Sequence, residues 1–232
     1  MTTTPDTSPR KRRRRKSAPQ ARGLARREKI LTAVTELFAN TPYDDISYGD
    51  LAAHADVPIG SLYHFFPSKL SICAALAQEF GNLYVLEMNK PFAGASISSW
   101  KDIVDQQIDR GAALVENNPA ARRIIFGGKT PPEIKMADRA NDRRLAHVIE
   151  SAFSTYFHLP EIPNKQEVFY LYVEIVDLIF TLSVIEHGHV TAHAIGEAQR
   201  AGKAYLSCYI PDVLKRRGAP DTVHGLLLAA AE

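Results

Sequence analysis

The side chains best placed to do chemistry lie between Ile46 and Lys69, in the run ISYGDLAAHADVPIGSLYHFFPSK. Ser47, Tyr48, Ser61, Tyr63, His64 and Lys69 bring hydroxyl, imidazole and ammonium groups into one stretch, with Ile59 and Gly60 leading the second half. Such donors suit phosphate oxygens and base edges. A second pair, Glu174 and Asp177, stands three residues apart in a very apolar stretch, where carboxylates are expensive to bury and can meet a cation. The bland reading of that pair is bonding to Arg or Tyr across a subunit contact, or exposure at its rim. His187, His189 and His193 with Glu186 have metal-binding side chains. They surround the Gly188 turn, however, and only His189 and His193 share an i, i+4 frame, so neither a metal nor a cofactor is expected. No Ser/His/Asp set, phosphate-cradling Gly loop or Cys pair has the context that catalysis needs, and the chain does not read as an enzyme.

Two short helices around a tight turn must position the first group. Ser47 can cap the first helix with Asp50 three residues on, a reciprocal arrangement that satisfies two orphan backbone donors. Leu51, Ala52 and Ala55 form its inward face. Asp56 tolerates a left-handed backbone, Val57 can plug the space between the helices, and Pro58 fits only a first helical turn, so the second helix starts near Pro58. Gly60 and Ser61 keep its leading end small enough for close approach to a duplex. Leu62 and Phe66, at i and i+4, face inward, which leaves Ile59, Gly60, Ser61, Tyr63 and His64 outward. On this geometry Tyr63 reads base edges, while Ser61 and Lys69 hold phosphates, Lys69 from the first turn of the next helix.

The pattern L-A-x-x-A-D-V-P-I-G-S-L-Y-x-x-F-P-S-K, from Leu51 to Lys69, resembles the signature of the tetracycline-repressor (TetR) family of bacterial transcription regulators. The resemblance covers about the first third of the chain after its basic tail. It implies an all-α fold: an amino-terminal three-helix helix-turn-helix DNA-binding domain, then a larger helical effector-binding and dimerisation domain. It also implies a homodimer joined through the last two helices, double-stranded DNA as partner, and a small-molecule effector whose binding releases a palindromic operator. Asp56 stands where the family usually has glycine, and Phe65 where it often has a phosphate-contacting histidine. His64, next door, points about a hundred degrees away around the helix.

Charge is divided unevenly along the chain. Of 28 basic and 26 acidic residues, residues 1–16 hold seven and one, so the tail carries +6 and the remainder −4. Residues 1–21, rich in Thr, Ser, Pro and basic side chains, cannot build a core and are expected to be disordered alone. Arg12, Arg13, Arg14 and Arg15 then form an arm drawn to the negative potential of a narrow minor groove; a merely solubilising tail is the alternative. Between Arg22 and Ile72 five basic residues face six acidic ones, a weak balance for phosphate binding that gives the arm its importance. No apolar segment follows the positive run, as a signal peptide would require. The most apolar stretch, Val168 to Ile185, is interrupted by Glu174 and Asp177, so no membrane span is expected. Cys73 and Cys208, without metal or redox spacing, read as reduced, buried thiols of a cytoplasmic protein.

Helical periodicity runs through the rest. Ile30, Leu31, Val34, Leu37 and Phe38 make a single stripe between Arg26 and Asn40. Pro67-Ser68 opens a fourth helix that crosses the boundary between a DNA-binding domain over 22–68 and a larger domain over 69–216, with 217–232 as a carboxy-terminal tail. In the larger domain Ser99-x-x-Asp102, Thr130-Pro131-Pro132-Glu133 and Asn164-x-x-Glu167 mark helix starts. The segment Phe169 to Ile185 is apolar nearly all the way round, and a final helix is expected from Thr191 to about Leu214. Effector contacts are expected from Trp100, Phe126, Phe153, Tyr156, Phe169, Tyr172, Glu174 and Asp177. The function expected is therefore a DNA-binding repressor released by an effector. An architectural DNA-binding protein whose larger domain serves only assembly is the other reading; a cavity of several hundred cubic ångströms inside that domain favours the first and a filled core the second.

Overall fold

The computed structural model describes residues 18–92, 97–128 and 130–217, and side chains from residue 21 onward. Within them the chain forms nine α-helices: α1 Ala18–Asn40, α2 Tyr48–His54, α3 Ile59–Phe65, α4 Lys69–Met88, α5 Trp100–Glu116, α6 Pro119–Ile125, α7 Pro132–Tyr156, α8 Lys165–His187 and α9 Ala192–Ser207. Among the described residues the only extended pairing is a single antiparallel bridge between Phe157 and Arg216. The all-α expectation holds. Helix α1 begins inside the segment read as a disordered arm, since Ala18, Pro19, Gln20 and Ala21 supply a permissive first turn. The Arg12–Arg15 arm and residues 218–232 of the tail lie outside the described residues.

The amino-terminal domain closes on one small core. Ile30, Leu31, Val34 and Phe38 of α1 meet Leu51 and Ala52 of α2, Leu62 of α3, Phe66 and, from the start of α4, Ile72 and Cys73, all buried. Burying each such large side chain contributes about 1.5–3 kcal/mol, enough to hold three short helices that could not persist alone. In the larger domain α4 packs on α7, α7 on α8, and α8 on α9, with α5 against α9. Helix α6 lies against α1 and is a second bridge between the domains besides α4.

Several helix ends differ from what local signals suggest. The Ser68 and Ser99 caps form as expected, each in a reciprocal capping box. Asn164, by contrast, adopts a left-handed conformation (φ 50°) and gives no side-chain cap, while Glu167 pairs with Arg143 instead. The Thr130 hydroxyl donates to the carbonyls of Ile125 and Gly127, so Pro131 takes the cap position of α7. Helix α9 ends at Ser207, not near Leu214, because the segment after it folds back across the domain. Trp100 Nε1 donates to the Pro211 carbonyl at 3.0 Å, and Tyr156–His158 pair with Lys215–Arg217. This leaves Cys208 exposed, contrary to expectation, whereas Cys73 is buried and its thiol is pushed up to about 12 by that burial. By length and composition α8 alone among the described helices is apolar enough to cross a membrane, and here it packs between α7 and α9.

Gly202 marks the closest approach of α9 to its neighbours. A Cβ there would lie 2.6 Å from Cε2 of the buried Tyr172 ring and 3.5 Å from Val104. Gly202→Ala is expected to lower stability by about 1–3 kcal/mol, the usual cost of overpacking. Urea denaturation checks it, and an unchanged midpoint would mean that the Tyr172 ring gives way freely.

Candidate nucleic-acid interface and effector cavity

The helix-turn-helix is built as its residue types require. The Ser47 hydroxyl accepts from the Asp50 amide at 3.1 Å while the Asp50 carboxylate accepts from the Ser47 amide at 2.8 Å, and these bonds hold the carboxyl below its usual range. Asp56 takes φ 50°, a left-handed turn that lets the Val57 amide reach back to the Ala52 carbonyl at 3.1 Å. Such a backbone is strained for most residues and tolerable for Asp. The carbonyl of Pro58 then receives the amides of Ser61 and Leu62, starting α3.

Helix α3 turns one side fully outward. Leu62 and Phe66 are buried, whereas Ile59 and Tyr63 are about half exposed, at 49% and 51%. Gly60 and His64 are also exposed and Ser61 is half-buried. No atom lies within 4 Å of a Cβ built at Gly60, so that backbone is open to a large partner. A half-exposed tyrosine and isoleucine side by side on a seven-residue helix need a reason, because burial would ordinarily claim them.

Two residues read as DNA contacts, Tyr48 and Lys69, make bonds within the domain. The Tyr48 hydroxyl donates to the Phe66 carbonyl, tying α2 to the end of α3, and its ring lies 4.4 Å from that of Tyr63, holding the outward tyrosine in place. Lys69, expected on a phosphate, instead donates its ammonium to the carbonyls of Tyr43 at 2.7 Å and Ile46 at 2.8 Å and sits 4.0 Å from the centre of the Tyr43 ring. It fastens the α1–α2 connection, which includes a short 3-10 turn at Tyr43–Asp45, to the first turn of α4. Spacing alone placed Lys69 at a helix start and could not show that two backbone carbonyls already faced it.

The larger domain contains a narrow, partly open cavity, far smaller as folded here than the several hundred cubic ångströms of a filled effector site. As closed here it has room for a few water molecules only. Its walls come from Phe80 and Tyr84 of α4, Gln107 of α5, Phe126, Asp138 and Asp142 of α7, and Tyr172 and Asp177 of α8. Three of the expected contacts, Phe126, Tyr172 and Asp177, thus line it. Glu174 lines an adjoining groove that shares Asp138, Asp142 and Asp177. Trp100, Phe153, Tyr156 and Phe169 do not. Trp100, Phe153 and Phe169 are a fully buried aromatic stack elsewhere in the domain, and Tyr156 exchanges hydrogen bonds with the backbone of Phe92. Periodicity marks a helix's buried face without showing where neighbouring faces fail to meet.

Sequence reading missed Asp138 and Asp142. The signal was present, since both continue the stripe Ile134, Leu145, Ile149 along α7, an apolar face in which carboxylates are out of place. Burial pushes the Asp138 carboxyl up to about 7 and that of Asp142 up to about 9, and the neighbouring carboxylates add to both. Burial also raises Asp177. Lys135 answers part of this charge at 3.2 Å from Asp177 and 3.6 Å from Asp138, and Arg139 lies 3.7 Å from Glu174. Among the described residues no three His, Cys, Asp or Glu side chains converge closely enough to hold a metal ion.

An outward helix on a three-helix domain and a lined cavity in a larger helical domain coincide with one known architecture. Residues 30–76 match the profile described as bacterial regulatory proteins, tetR family, and residues 98–210 match the tetracyclin repressor-like C-terminal domain. The chain belongs to the TetR family. The chain is similar to the transcriptional repressor KstR from Rhodococcus jostii, 37% identical over 67 residues, or 28% of this chain and 32% of that protein. KstR from Mycobacterium tuberculosis is 33% identical over 72 residues, or 31% of this chain and 33% of that protein. The matched segment thus spans about a third of the length of these curated relatives. Over a wider span, the structure of a TetR-family transcriptional regulator from Streptomyces coelicolor aligns with a TM-score of 0.63 at 26% identity, covering 80% of this chain and 99% of that one. A TetR regulator from Rhodococcus sp. RHA1 shares the fold with a TM-score of 0.60 at 20% identity, covering 80% and 97%.

Within this TetR domain the internal role of Lys69 is testable. Lys69→Met leaves the Ile46 carbonyl without its donor and takes the charge-assisted bond from the Tyr43 carbonyl, which keeps only the Ile46 amide, and a loss of about 1–3 kcal/mol is expected in thermal or chemical unfolding. An unchanged stability together with weakened binding to all DNA sequences would return Lys69 to a phosphate contact.

Proposed function

We propose that the protein is a transcriptional repressor that binds an inverted-repeat operator as a homodimer and lets go when a small molecule enters the cavity of the larger domain. The observation that carries this reading is the double membership of α4. Its first turns, at Ile72 and Cys73, belong to the core under the recognition helix, while Phe80 and Tyr84 farther along the same rod line the cavity. A ligand that spreads the cavity walls therefore tilts the rod that aims α3. Repression, rather than activation, is the sense carried by the names of the KstR relatives. A purely architectural DNA-binding protein would have no use for a cavity with buried carboxylates.

Dimerisation is supported by α8. Leu171, Leu178, Leu182 and Ile185 all remain 43–57% exposed, and their spacing puts them along one stripe of the helix. Such a row of leucines fits the self-complementary contact of a two-fold dimer. Two copies of α3, each reading a few base pairs, would then meet half-sites about one helical turn, roughly 34 Å, apart. The basic segment Arg12–Arg15 would add minor-groove and phosphate attraction that the nearly neutral reader lacks.

Selection from a random DNA pool is expected to enrich an inverted repeat. On that sequence Tyr63→Ala should lose roughly tenfold or more in affinity, with little loss on random DNA, because a base contact discriminates by about 1–3 kcal/mol. Equal losses on both would remove Tyr63 from base reading. Replacing Leu178 and Leu182 together by Glu is expected to yield monomers in light scattering and to abolish operator binding at concentrations where the unmodified protein is saturated. A dimer that survives this double change would place the interface elsewhere.

A further inference from the structure

We propose that the cavity recognises an organic cation: a ligand with a flat or apolar body between Phe80, Tyr84 and Phe126 and a protonated amine held by Asp138, Asp142 and Asp177. This deepens the effector reading above and rests on it.

Three features of the site point to that chemistry. The carboxylates lie on the wall of the cavity itself, and with Glu174 they number four against two cations, Lys135 and Arg139, of which Arg139 is exposed at the rim. Among the described residues no hydrogen bond reaches Asp142, although it is one of the two acids common to cavity and groove on α7. Acids gathered in a partly apolar wall repel one another unless positive charge arrives from outside.

The second feature is independent of charge. Gln107 is 2% exposed and Tyr172 is 1% exposed, both line the cavity, and neither Gln107 amide atom nor the Tyr172 hydroxyl has a hydrogen-bond partner. Buried polar groups left this way are rare, and they mark a place where a ligand's donors and acceptors complete the bonding. The third feature separates an organic cation from a metal ion. The acids do not converge into a metal-binding group, and aromatic rings stand beside them. Rings and spaced carboxylates together suit an ammonium, which gains from the negative faces of the rings as well as from the charges.

Protonation gives the site a signature. The groups facing Asp138 and Asp142 are Lys135 and Arg139 on α7, Glu174 and Asp177 on α8, Tyr84 on α4 and Tyr205 on α9. With their carboxyls raised to about 7 and about 9, Asp138 and Asp142 favour the folded state while protonated, and that contribution is lost as pH rises through those values. An incoming ammonium replaces the departing protons. Its affinity therefore rises with pH, and binding releases protons.

The test is calorimetry on the full chain with three matched probes: naphthylmethylamine, naphthylmethanol and naphthoate. The amine is expected to bind roughly tenfold or more tightly than the alcohol at about pH 8, the carboxylate more weakly than the alcohol, and the amine's advantage to shrink at about pH 6. Asp138→Asn and Asp142→Asn should each reduce that advantage while keeping affinity for the alcohol. Asp142→Asn is not expected to melt lower than the unmodified protein, because among the described residues Asp142 makes no hydrogen bond or ion pair to lose. Equal affinity for amine and alcohol would overturn the cation assignment and leave the effector cavity standing. Failure of all three probes to bind or to release the selected operator would overturn both. The comparison among probes on the unmodified protein decides the matter even where a variant fails to fold.

Discussion

Helix α4 cannot move at one end and stay still at the other, and the rest of the molecule is arranged around that constraint. Its amino-terminal turn is fixed from two directions. Ser68 and Ser71 close a capping box, and the Lys69 ammonium reaches across to the carbonyls of Tyr43 and Ile46. Charge-assisted bonds to carbonyls are worth more than neutral ones and would be costly to break. Farther along, Gly81 lets Asn141 of α7 pack directly on the helix backbone, where Asn141 also accepts from Gln78. The rod is therefore gripped by the DNA-binding domain at its start and by the larger domain at its middle, with little slack at either place.

The second bridge, α6 against α1, turns this from a lever into a frame. A single rod would let the amino-terminal domain swing about one axis. With α6 pressed on α1 as well, a displacement of α6 relative to α4 reorients the whole three-helix unit. Phe126, directly after α6, lines the cavity and packs edge-to-face near Phe80 of α4. One aromatic contact thus lies where cavity, rod and second bridge meet, and packed contacts of this kind shift between discrete arrangements more readily than they deform.

Buried carboxylates set the larger domain apart from an ordinary helical core. Hydrophobic residues alone would have filled the space between α4, α7 and α8 more stably, since buried charge contributes little net stability and often detracts from it. Lys135 shows how the apo protein manages: burial works against its charge, but Asp177 and Asp138 outweigh that and raise its pKa, so one ammonium serves both acids. The arrangement is stable enough to fold and remains short of positive charge.

The amino-terminal domain was legible from sequence because its signals are local. Ser47 with Asp50, the left-handed turn at Asp56, the proline start of α3 and the i, i+4 pair Leu62 and Phe66 each constrain the backbone within four residues, and together they fix which side of α3 faces out. The cavity was not legible in the same way. Periodicity put Trp100, Phe153 and Phe169 on buried faces as surely as Phe126 and Tyr172, and only the assembled helices show that the first three fill their space while the others border a gap. The same holds for Lys69 and for the early end of α9. Their partners, the Tyr43 and Ile46 carbonyls and the Pro211 carbonyl that holds Trp100, are 23 to 111 residues distant in sequence. Helix existence and facing follow from the order of residues along a few turns, whereas a hollow, a tether or a crowd of acids is a property of surfaces brought together from far apart, and it exists only once the chain has folded.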